Sequence, residues 1–453
     1  MELKYNQVLV AGIGISGIGA ATLLNKKGVT VVFYDGNENV DVEEFYKKLP
    51  EGFRPKVILG ELTKEHLNEI DYMVISPGIP TDAPFTNVVR DAGISIIGEI
   101  ELAYLYAHGE IAAITGTNGK TTTTTLVGEI LKAYYEEVFV VGNIGMSYAD
   151  VALDTTKETR IAAELSSFQL ETIEEFHPKV CAVLNVTPDH LNRHYTMENY
   201  AKAKINIAKN QNETDILILN YDDEITRQMK EEVASKVVYF SYKESLEEGI
   251  FLKDDAIVHK EKDEIKVLCP LKDIKLLGIH NIENIMAAAG IALYMGVSES
   301  VIHQVIKDFM GVEHRIEYVA TKKGICYYND SKGTNPDASI KAIEAMNRPT
   351  VLIAGGYDKK VAFDDFVKSL SGKITHMILI GQTKEQIAEV AKSYGYENIT
   401  MADTLNEAVT LSAQLVKPEG AVLLSPACAS WGMFSNYEER GRMFKEYVHL
   451  LEE

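Results

Sequence analysis

Short apolar runs alternate with helical hydrophobic patterns along the chain, and this alternation predicts an α/β fold. Residues 7–11 indicate a first buried strand, a helical pattern follows through Leu24, and residues 29–34 indicate a second strand. Strands that alternate with helices in this way are typical of βαβ units with a parallel sheet. With 453 residues, the chain is long enough for roughly three domains. We therefore predict three consecutive α/β units.

The first unit carries a glycine-rich turn between its first strand and its first helix. Gly12, Gly14 and Gly17 follow the strand, and Asp35 follows the second strand at the spacing of a dinucleotide-binding fingerprint. Taken alone, this motif is a weak signal. It fits a nicotinamide-dependent oxidoreductase, and it also fits glycines that only allow a helix to pack closely on a strand. A strand at residues 72–76 leads into a second loop, where Gly78 offers another ligand position.

The second unit contains a stronger signal, a glycine-rich turn at residues 116–122 (GTNGKTT) between an apolar strand and a helix. Such a turn directs backbone N–H groups and the positive end of the helix towards an anion. Lys120 adds a full charge, and Thr121 stands where a P-loop places a hydroxyl for Mg²⁺. The match is imperfect, because Ile114 occupies the position of the first P-loop glycine. The motif predicts a nucleoside triphosphate site, and an ordinary strand-to-helix turn is the alternative.

Three more polar loops follow predicted strands of this unit. Asn143 follows residues 139–141, Glu164 ends the strand at residues 160–164, and His190 follows the strand at residues 180–186. In a doubly wound sheet, these carboxyl ends meet at the edge where the ligand binds. Singly, Glu164 is more typical of a carboxylate at a helix start and His190 of a surface imidazole. Their shared position at strand ends favours a functional role.

Lys204 stands on an apolar stripe of a predicted helix. In residues 200–209, Ala201, Lys204, Ile205 and Ala208 share one face, whereas Lys202 does not. A lysine in this setting usually extends its ammonium to solvent. The acidic stretch at residues 243–264 is more weakly patterned, and we predict a solvated hairpin or insertion there.

The third unit begins near residue 312 and repeats the arrangement of polar loops after strands. The predicted strands at residues 325–328, 350–354 and 421–424 each run into a loop that contains Ser, Lys, Asp or Gly. Lysines and hydroxyls at three strand ends indicate a site for an anionic molecule.

Composition narrows the possible partners. The net charge of −21 argues against nucleic acid as a ligand. The four cysteines form no CxxC pair, so neither zinc nor a disulfide framework is indicated. No apolar run is long enough to cross a bilayer, and residues 1–6 lack the apolar core of a signal peptide. We therefore expect a cytoplasmic protein without a membrane partner.

Taken together, the motifs resemble those of the Mur ligases, ATP-dependent enzymes of peptidoglycan precursor synthesis. The resemblance covers essentially the whole chain. Its motifs occur in one order, at residues 116–122 (GTNGKTT), 142–145 (GNIG), Glu164, 189–190 (DH), 278–284 (GIHNIEN), 314–315 (HR), 330–335 (DSKGTN) and 425–430 (SPACAS).

The resemblance implies three domains. Residues 1–98 would form a Rossmann-like domain that binds the UDP end of the substrate, and residues 99–311 a P-loop-type ATP-binding domain with a mostly parallel sheet. Residues 312–453 would form a Rossmann-like domain that brings the amino acid. The positions matched to the UDP-linked substrate are Ile15, Ser16, Asp35, Gly78, Asn143 and His190.

The resemblance also implies ATP, two Mg²⁺ ions and a modified lysine. The matched ATP positions are Gly116, Thr117, Asn118, Gly119, Lys120, Thr121, Thr122, Asn281, Asn284, Arg315 and Asp330. Thr121 and Glu164 would hold one Mg²⁺, and Glu164, His190 and Lys204 the other. An ammonium cannot ligate a cation. The resemblance implies that Lys204 carries a carbamate formed from CO₂, which supplies an anionic oxygen ligand. Lys120, Glu164, His190 and Lys204 are the expected catalytic residues.

The implied reaction forms an amide through an acyl phosphate, with D-glutamate joined to UDP-N-acetylmuramoyl-L-alanine. The positions matched to the amino acid are Lys332, Thr334, Lys359, Ser430 and Tyr437, with Lys360 as an alternative to Lys359. We expect a monomer. An oxidoreductase would explain only the first unit, and a P-loop switch only the second, so the ligase is the favoured of three hypotheses.

Overall fold

The computed structural model describes residues 6–452, within which three sheets alternate with helices. The strands are β1 Gln7–Ala11, β2 Thr30–Asp35, β3 Lys56–Leu59, β4 Tyr72–Ile75, β5 Ser95–Gly98, β6 Glu110–Thr115, β7 Val138–Gly142, β8 Arg160–Glu164, β9 Val180–Val183, β10 Ile216–Asn220, β11 Lys236–Ser241, β12 Gly249–Lys253, β13 Ala256–Glu261, β14 Glu264–Pro270, β15 Glu317–Lys322, β16 Ile325–Asn329, β17 Thr350–Ala354, β18 Ile374–Leu379, β19 Ile399–Met401 and β20 Ala421–Leu424. The helices are α1 Ile15–Lys26, α2 Val42–Tyr46, α3 Pro84–Asp91, α4 Glu99–Tyr106, α5 Lys120–Lys132, α6 Tyr148–Val151, α7 Ser167–Leu170, α8 Leu191–His194, α9 Met197–Ile205, α10 Glu224–Gln228, α11 Ile279–Tyr294, α12 Glu299–Asp308, α13 Pro336–Ala345, α14 Asp364–Ser369, α15 Lys384–Ser393, α16 Leu405–Leu415 and α17 Tyr437–Leu450. The predicted α/β fold is confirmed.

The first sheet is parallel throughout, in the order β3-β2-β1-β4-β5. Its strand order reverses at β1, which lies between β2 and β4, and this is the switch point where such sheets bind ligands. The glycine-rich turn predicted from the sequence follows β1. Gly12 has a φ of +98°, and a Cβ there would lie 2.6 Å from Ser76 Oγ. The turn therefore requires glycine because the loop after β4 approaches it closely.

The second sheet has nine strands in the order β14-β13-β12-β11-β10-β9-β6-β8-β7. The pairs from β7 to β12 are parallel, and β13 and β14 add antiparallel strands at one edge. Of the solvated hairpin predicted at residues 243–264, the hairpin is confirmed, because β12 and β13 pair as consecutive antiparallel strands, but the solvation is wrong. The stretch contains β12 and β13, whose Ile250, Phe251, Ile257 and Val258 side chains are buried. The buried residues are consecutive in each strand, so both faces of the pair carry buried side chains. The Lys, Asp and Glu residues that suggested solvation lie at the strand ends and in the connecting turns.

The third sheet has the order β15-β16-β20-β17-β18-β19, with β15 antiparallel to β16 and the other pairs parallel. The three strands that precede the polar loops, β16, β20 and β17, are direct neighbours in this order. Their carboxyl ends therefore bring the three loops together at one edge of the sheet.

The described chain divides into two compact units. One contains the chain through Leu271 together with Glu283–Ile306, and the other contains Lys272–Ile282 together with the chain from Lys307. The first unit holds both the five-stranded and the nine-stranded sheets, so the predicted boundary at residues 98 and 99 stays a prediction, as does that at 311 and 312. Residues 1–5, which entered the expectation of a cytoplasmic protein, lie outside the described residues. Among residues 6–452, no helix combines the length and the apolar character needed to cross a membrane.

Candidate active site

The phosphate loop lies between β6 and α5, as the sequence predicts. Gly119 precedes α5 with a left-handed φ of +86°, and a Cβ at this position would overlap the side chain of Asn284. Only glycine combines that backbone conformation with such a close neighbour. The α5 helix starts at Lys120, so its unpaired N–H groups and its positive end face the loop. This arrangement is suited to a phosphate group.

Asn185, in the loop after β9, holds the phosphate loop in place. Its Oδ1 accepts from Asn118 N at 2.8 Å, and its Nδ2 donates to Asn118 O at 3.1 Å. Its carbonyl oxygen accepts from Thr117 N at 3.0 Å. Asn185 is not among the residues predicted from the sequence, because it lies inside the strand predicted at residues 180–186. The observed strand β9 ends at Val183, which leaves Asn185 in the loop.

Two lysines converge on the carbonyl oxygen of Gly116. Lys120 Nζ and Lys204 Nζ each donate to it at 2.8 Å, and Lys120 Nζ also donates to Thr117 O at 2.9 Å. The Lys204 side chain is 1% exposed, which confirms its predicted place on a buried face, whereas Lys202 is exposed. Burial, together with the nearby charge of Lys120, lowers the pKa of Lys204 to about 7. A lysine in this state is neutral in a large part of the population at physiological pH.

Glu164 is the last residue of β8, which pairs with β6, the strand that leads into the phosphate loop. It is 1% exposed, and its Oε1 accepts from Asn143 Nδ2 at 2.8 Å. Its Oε2 is buried and has no hydrogen-bond partner. Buried carboxylate oxygens are normally paired, so an unpaired one is expected where a cation binds. Ser166 caps the next helix, α7, because its side chain accepts from Gln169 N.

His190 and Thr121 occupy separate elements near the same sheet edge. His190 precedes α8 with a φ of 52°, and its ring centroid lies 4.9 Å from that of Phe168. Thr121 is half-buried in the first turn of α5. Among residues 6–452, no three Asp, Glu, His or Cys side chains are arranged to hold a metal ion. This donor set still fits Mg²⁺, which takes one or two carboxylates and completes its shell with water and substrate phosphates.

Four of the six residues predicted for the UDP-linked substrate lie at the carboxyl ends of β1, β2 and β4 or at the start of α1. Ile15 is 83% exposed at the start of α1, beside the half-buried Ser16. Asp35 ends β2, and its Oδ1 accepts from Asn37 N at 2.9 Å. Gly78 is exposed in the loop after β4. Because β1 lies between β2 and β4, these residues share one edge of the first sheet.

Three predicted nucleotide residues, Asp330, Arg315 and Asn281, belong to the second compact unit. Asp330 is buried, and its carboxylate accepts from Ser425 Oγ at 2.6 Å and from Ile316 N at 3.2 Å. Burial raises the pKa of Asp330 to about 7, against the lowering effect of the Ser425 hydrogen bond. Arg315 is exposed. Asn281, near the start of α11, donates to Leu277 O at 2.7 Å.

Three of the five residues predicted for the amino acid lie in two pairs of a lysine with an aromatic ring, and the second ring belongs to Trp431, which is not predicted from the sequence. Lys332 Nζ lies 5.7 Å from the centroid of the Tyr437 ring. Lys359 Nζ lies 5.6 Å from the centroid of the Trp431 ring and donates to Thr334 O at 3.4 Å. Such contacts hold an ammonium in place while it keeps its charge.

Arg440, on α17, links two of the loops that carry these residues. Its guanidinium is buried and donates to Ser331 O at 2.8 Å, to Ser331 Oγ at 3.0 Å and to Cys428 O at 3.2 Å. Ser430, two residues beyond Cys428, is also buried. The sequence analysis missed Arg440, because an arginine in a helix of mixed charge gives no sign of being buried.

Comparison with known protein families accounts for all three sheets. The model of the Mur ligase MurD-like N-terminal domain matches residues 6–98, that of the Mur ligase middle domain residues 114–292, and that of the Mur ligase glutamate ligase domain residues 314–428. The chain belongs to the Mur ligase family. This membership bears out the resemblance drawn from the sequence motifs, including the three-domain organisation.

Mur ligases of known sequence resemble the chain from end to end. It is 52% identical over 453 residues to the UDP-N-acetylmuramoylalanine--D-glutamate ligase of Lachnoclostridium phytofermentans, with 100% of both chains covered. It is 50% identical over 451 residues to the ligase of the same name from Lachnospira eligens, again with 100% of both chains covered.

Solved Mur ligase structures share the fold at lower identity. The UDP-N-acetylmuramate-alanine ligase of Thermotoga maritima is 19% identical, with a TM-score of 0.57, and the match covers 98% of this chain and 99% of that one. A UDP-N-acetylmuramoyl-L-alanyl-D-glutamate--2,6-diaminopimelate ligase is 16% identical, with a TM-score of 0.59, and covers 86% and 95%. The fold is thus common to Mur ligases that differ in the amino acid they add.

Proposed function

We propose that the chain is an ATP-dependent ligase that joins D-glutamate to UDP-N-acetylmuramoyl-L-alanine in peptidoglycan precursor synthesis. One observation of the structure carries the proposal most directly. Lys120, Lys204 and the phosphate loop meet at the Gly116 carbonyl, at the sheet edge where Glu164 keeps a buried and unpaired oxygen. The relatives of at least 50% identity that bear this ligase name support the choice of substrates.

The phosphate loop and Lys120 would bind the triphosphate of ATP. The loop N–H groups and the start of α5 face one region, and Lys120 can turn from the loop carbonyls to the phosphate oxygens. Asn284 packs on Gly119, and Thr117, Asn118 and Thr122 complete the loop. We assign Asn281, Arg315 and Asp330 to the remainder of the nucleotide by resemblance to the family.

Glu164, Thr121, His190 and Lys204 would hold two Mg²⁺ ions. The unpaired Glu164 Oε2 is the observation that fits a cation there. Mg²⁺, when bound, supplies positive charge to oxygens of the phosphates and of the acyl group. Lys204 would contribute an oxygen as a carbamate. In that step the neutral Nζ attacks the carbon of CO₂, an N–C bond forms, an oxygen takes the electron pair, and one proton leaves to solvent.

The residues of the chain would then act on two anionic reactants in turn. The carboxylate of the UDP-linked substrate attacks the γ-phosphorus of ATP, the bond to the β-phosphate oxygen breaks, and ADP leaves. The amine of the amino acid attacks the acyl carbon, phosphate leaves with the bonding electron pair, and the amine loses a proton. Lys120 would stabilise the charge that develops on the transferred phosphoryl group. Ile15, Ser16, Asp35, Gly78 and Asn143 would orient the UDP-linked substrate.

The lysine–aromatic pairs of the second compact unit would bind the two carboxylates of D-glutamate. Lys332 with Tyr437 and Lys359 with Trp431 provide two positive centres, and Thr334 and Ser430 provide hydroxyl groups. Lys359 rather than Lys360 is favoured, because Lys359 Nζ donates to the carbonyl oxygen of Thr334, another of the residues assigned to this site.

Phosphate release with a panel of amino acids tests the proposed function. With ATP, Mg²⁺ and UDP-N-acetylmuramoyl-L-alanine, we expect release with D-glutamate and not with L-alanine, L-lysine or diaminopimelate. L-Glutamate is the matched control for stereochemistry. Turnover that requires a diamino acid would move the chain to another Mur ligase activity, and equal rates with L- and D-glutamate would contradict the stereochemical assignment.

We also assign the domain boundaries, the oligomeric state and the cellular location. We assign the UDP-binding, ATP-binding and amino-acid-binding domains to residues 1–98, 99–311 and 312–453, which agrees with the order of the family models. One chain carries all three groups of residues, so we propose a monomer, which light scattering tests. Because ATP and the UDP-linked substrate are cytoplasmic metabolites, we also propose a cytoplasmic location.

A further inference from the structure

The short helix α8 is held between two residues with left-handed backbone. His190 has a φ of 52° before the helix, and Tyr195 a φ of 66° after it. Neither residue is glycine, so each conformation is unfavourable and persists only where surrounding contacts impose it. The N–H groups of Arg193 and His194 both donate to His190 O, at 2.9 and 3.0 Å. The place of His190 is therefore set by whatever holds Arg193 and His194.

His194 joins α8 to the segment that follows Glu164. Its Nε2 lies 2.9 Å from Ser167 Oγ, and its Nδ1 lies 3.4 Å from Glu171 Oε1. The ring is buried and stacks on Phe168, with centroids 5.5 Å apart and planes at 24°. A carboxylate can only accept, so Nδ1 carries the proton towards Glu171 and Nε2 accepts from the Ser167 hydroxyl. Ser167 is the first residue of α7, three positions after Glu164.

Arg193 joins α8 to the loop that carries Gly78. Its Nη2 donates to Glu171 Oε2 at 2.6 Å and to Ile79 O at 3.1 Å. Its guanidinium lies 4.9 Å from the Phe168 ring centroid. The Arg193 and Glu171 side chains are 11% and 16% exposed, so water screens this pair less than a surface ion pair.

A second contact from the end of α8 reaches the same loop. Tyr195 Oη donates to Asp82 Oδ2 at 2.7 Å. Segment 190–195 is thus attached on one side to α7 and on the other to residues 79–82 of the first sheet's loop.

We propose that Arg193 and His194 are positioning residues, which fix His190 relative to Glu164 and to the loop at residues 79–82. The inference rests on the metal-binding role proposed above for His190. The His190 side chain is half-exposed, so its own packing constrains it less than the contacts of α8 do. Residues that orient a metal ligand without touching the metal typically change metal affinity or activity by about 10–100-fold when they are replaced.

Two substitutions and a matched control test the proposal. His194→Phe keeps the ring and removes both nitrogen contacts, and Arg193→Ala removes the contacts with Glu171 and Ile79. For each we expect kcat to fall by at least about tenfold and the KM for ATP to change little, since the phosphate loop is untouched. Binding of Mn²⁺ to the enzyme with a non-hydrolysable ATP analogue, followed by electron paramagnetic resonance, should weaken by about tenfold. Tyr72→Phe is the control. It removes a hydroxyl contact with Glu174 at 3.3 Å, which also joins the first-sheet region to the second-sheet region but does not involve α8.

A double substitution separates positioning from general structure. If Arg193 acts through His190, Arg193→Ala should reduce kcat by less than about twofold when His190→Ala is already present. Arg193→Lys, which keeps the charge but not the forked geometry, should restore part of the rate. Multiplicative losses in the double variant, or unchanged Mn²⁺ affinity in both single variants, would overturn this proposal alone. A His190→Ala enzyme with wild-type rate would overturn the role of His190 as well.

Discussion

Replacement of Lys204 by methionine should make the protein more stable and inactive at the same time. The Lys204 side chain is 1% exposed, and burial lowers its pKa from 10.5 to about 7. At pH 7, roughly half of the folded molecules carry a neutral Lys204, against about one in 3,000 for an ordinary lysine. The unfolded chain therefore binds more protons than the folded chain between about pH 7 and 10.5, and the lysine reduces stability there.

The cost follows from the two pKa values. It is about 4 kcal/mol at pH 7, about 2 kcal/mol at pH 9, and close to zero above about pH 10.5. Methionine fills a similar volume without this penalty but loses the hydrogen bond to Gly116 O, which contributes about 1 kcal/mol. We expect Lys204→Met to be more stable than wild type by about 3 kcal/mol at pH 7 and about 1 kcal/mol at pH 9. Activity should be lost because methionine cannot form a carbamate.

The assay is urea unfolding in CO₂-free buffer at pH 7 and pH 9, with Lys202→Met as the exposed control on the same helix. Addition of bicarbonate should raise the stability of the wild type, because CO₂ bound to the folded state shifts the equilibrium by mass action, and should leave Lys204→Met unchanged. A ¹³C-bicarbonate NMR experiment should show a carbamate signal that the variant lacks. A stability difference that is equal at the two pH values would refute the burial argument. A fully active Lys204→Met enzyme without any carbamate signal in the wild type would refute the proposed modification.

Three further predictions concern the nucleotide and amino-acid sites. Lys120→Ala should abolish turnover. It should leave the affinity for the UDP-linked substrate within about twofold, measured by calorimetry without ATP, because that ligand is assigned to the first sheet. A large loss of this affinity would contradict the assignment of the two ligands to different sheets. Asn185→Ala removes two side-chain hydrogen bonds to Asn118 and should raise the KM for ATP by about tenfold, measured by phosphate release, while the exposed Asn398→Ala should not. Lys359→Ala should raise the KM for D-glutamate by at least about tenfold and Lys360→Ala by less than about twofold; the reverse order would reassign the site to Lys360.

Much of the fold follows from local pattern. Three strands illustrate this: β2 ends at Asp35, β8 ends at Glu164, and β16 precedes Asp330. Each is a short apolar run bounded by polar loops, and the structure places each within a residue or two of the prediction. Local pattern underestimates burial at β12 and β13, where charged residues at the strand ends and turns mask short runs of consecutive buried residues. Side-chain alternation reports what one segment buries and not which strand lies beside it.

The motifs likewise determine which functional groups the chain supplies, but not which of them become neighbours in the fold. The spacing around Lys120 indicates a phosphate site, and the helical spacing places Lys204 on an apolar face with Ala201 and Ile205. Neither pattern shows that the Lys204 ammonium is buried or that the two lysines are related. The two lysines are neighbours in the fold because both ammonium groups donate to Gly116 O, which lies 88 positions before Lys204 in the sequence. Their proximity sets the charge on Lys204, since desolvation and the Lys120 ammonium act through space.

The contacts that only the tertiary structure decides are those of Asn185, Arg193, His194 and Arg440. Each is a polar residue in a loop, a short helix or a charged helix, where sequence pattern predicts exposure. Each is instead held by partners from distant parts of the chain, such as Ser331 for Arg440 and Ser167 for His194. Sequence records which groups can donate, accept or carry charge. Whether such a group is buried, and against what, depends on the order of strands in the sheet, because that order alone decides which loops share an edge.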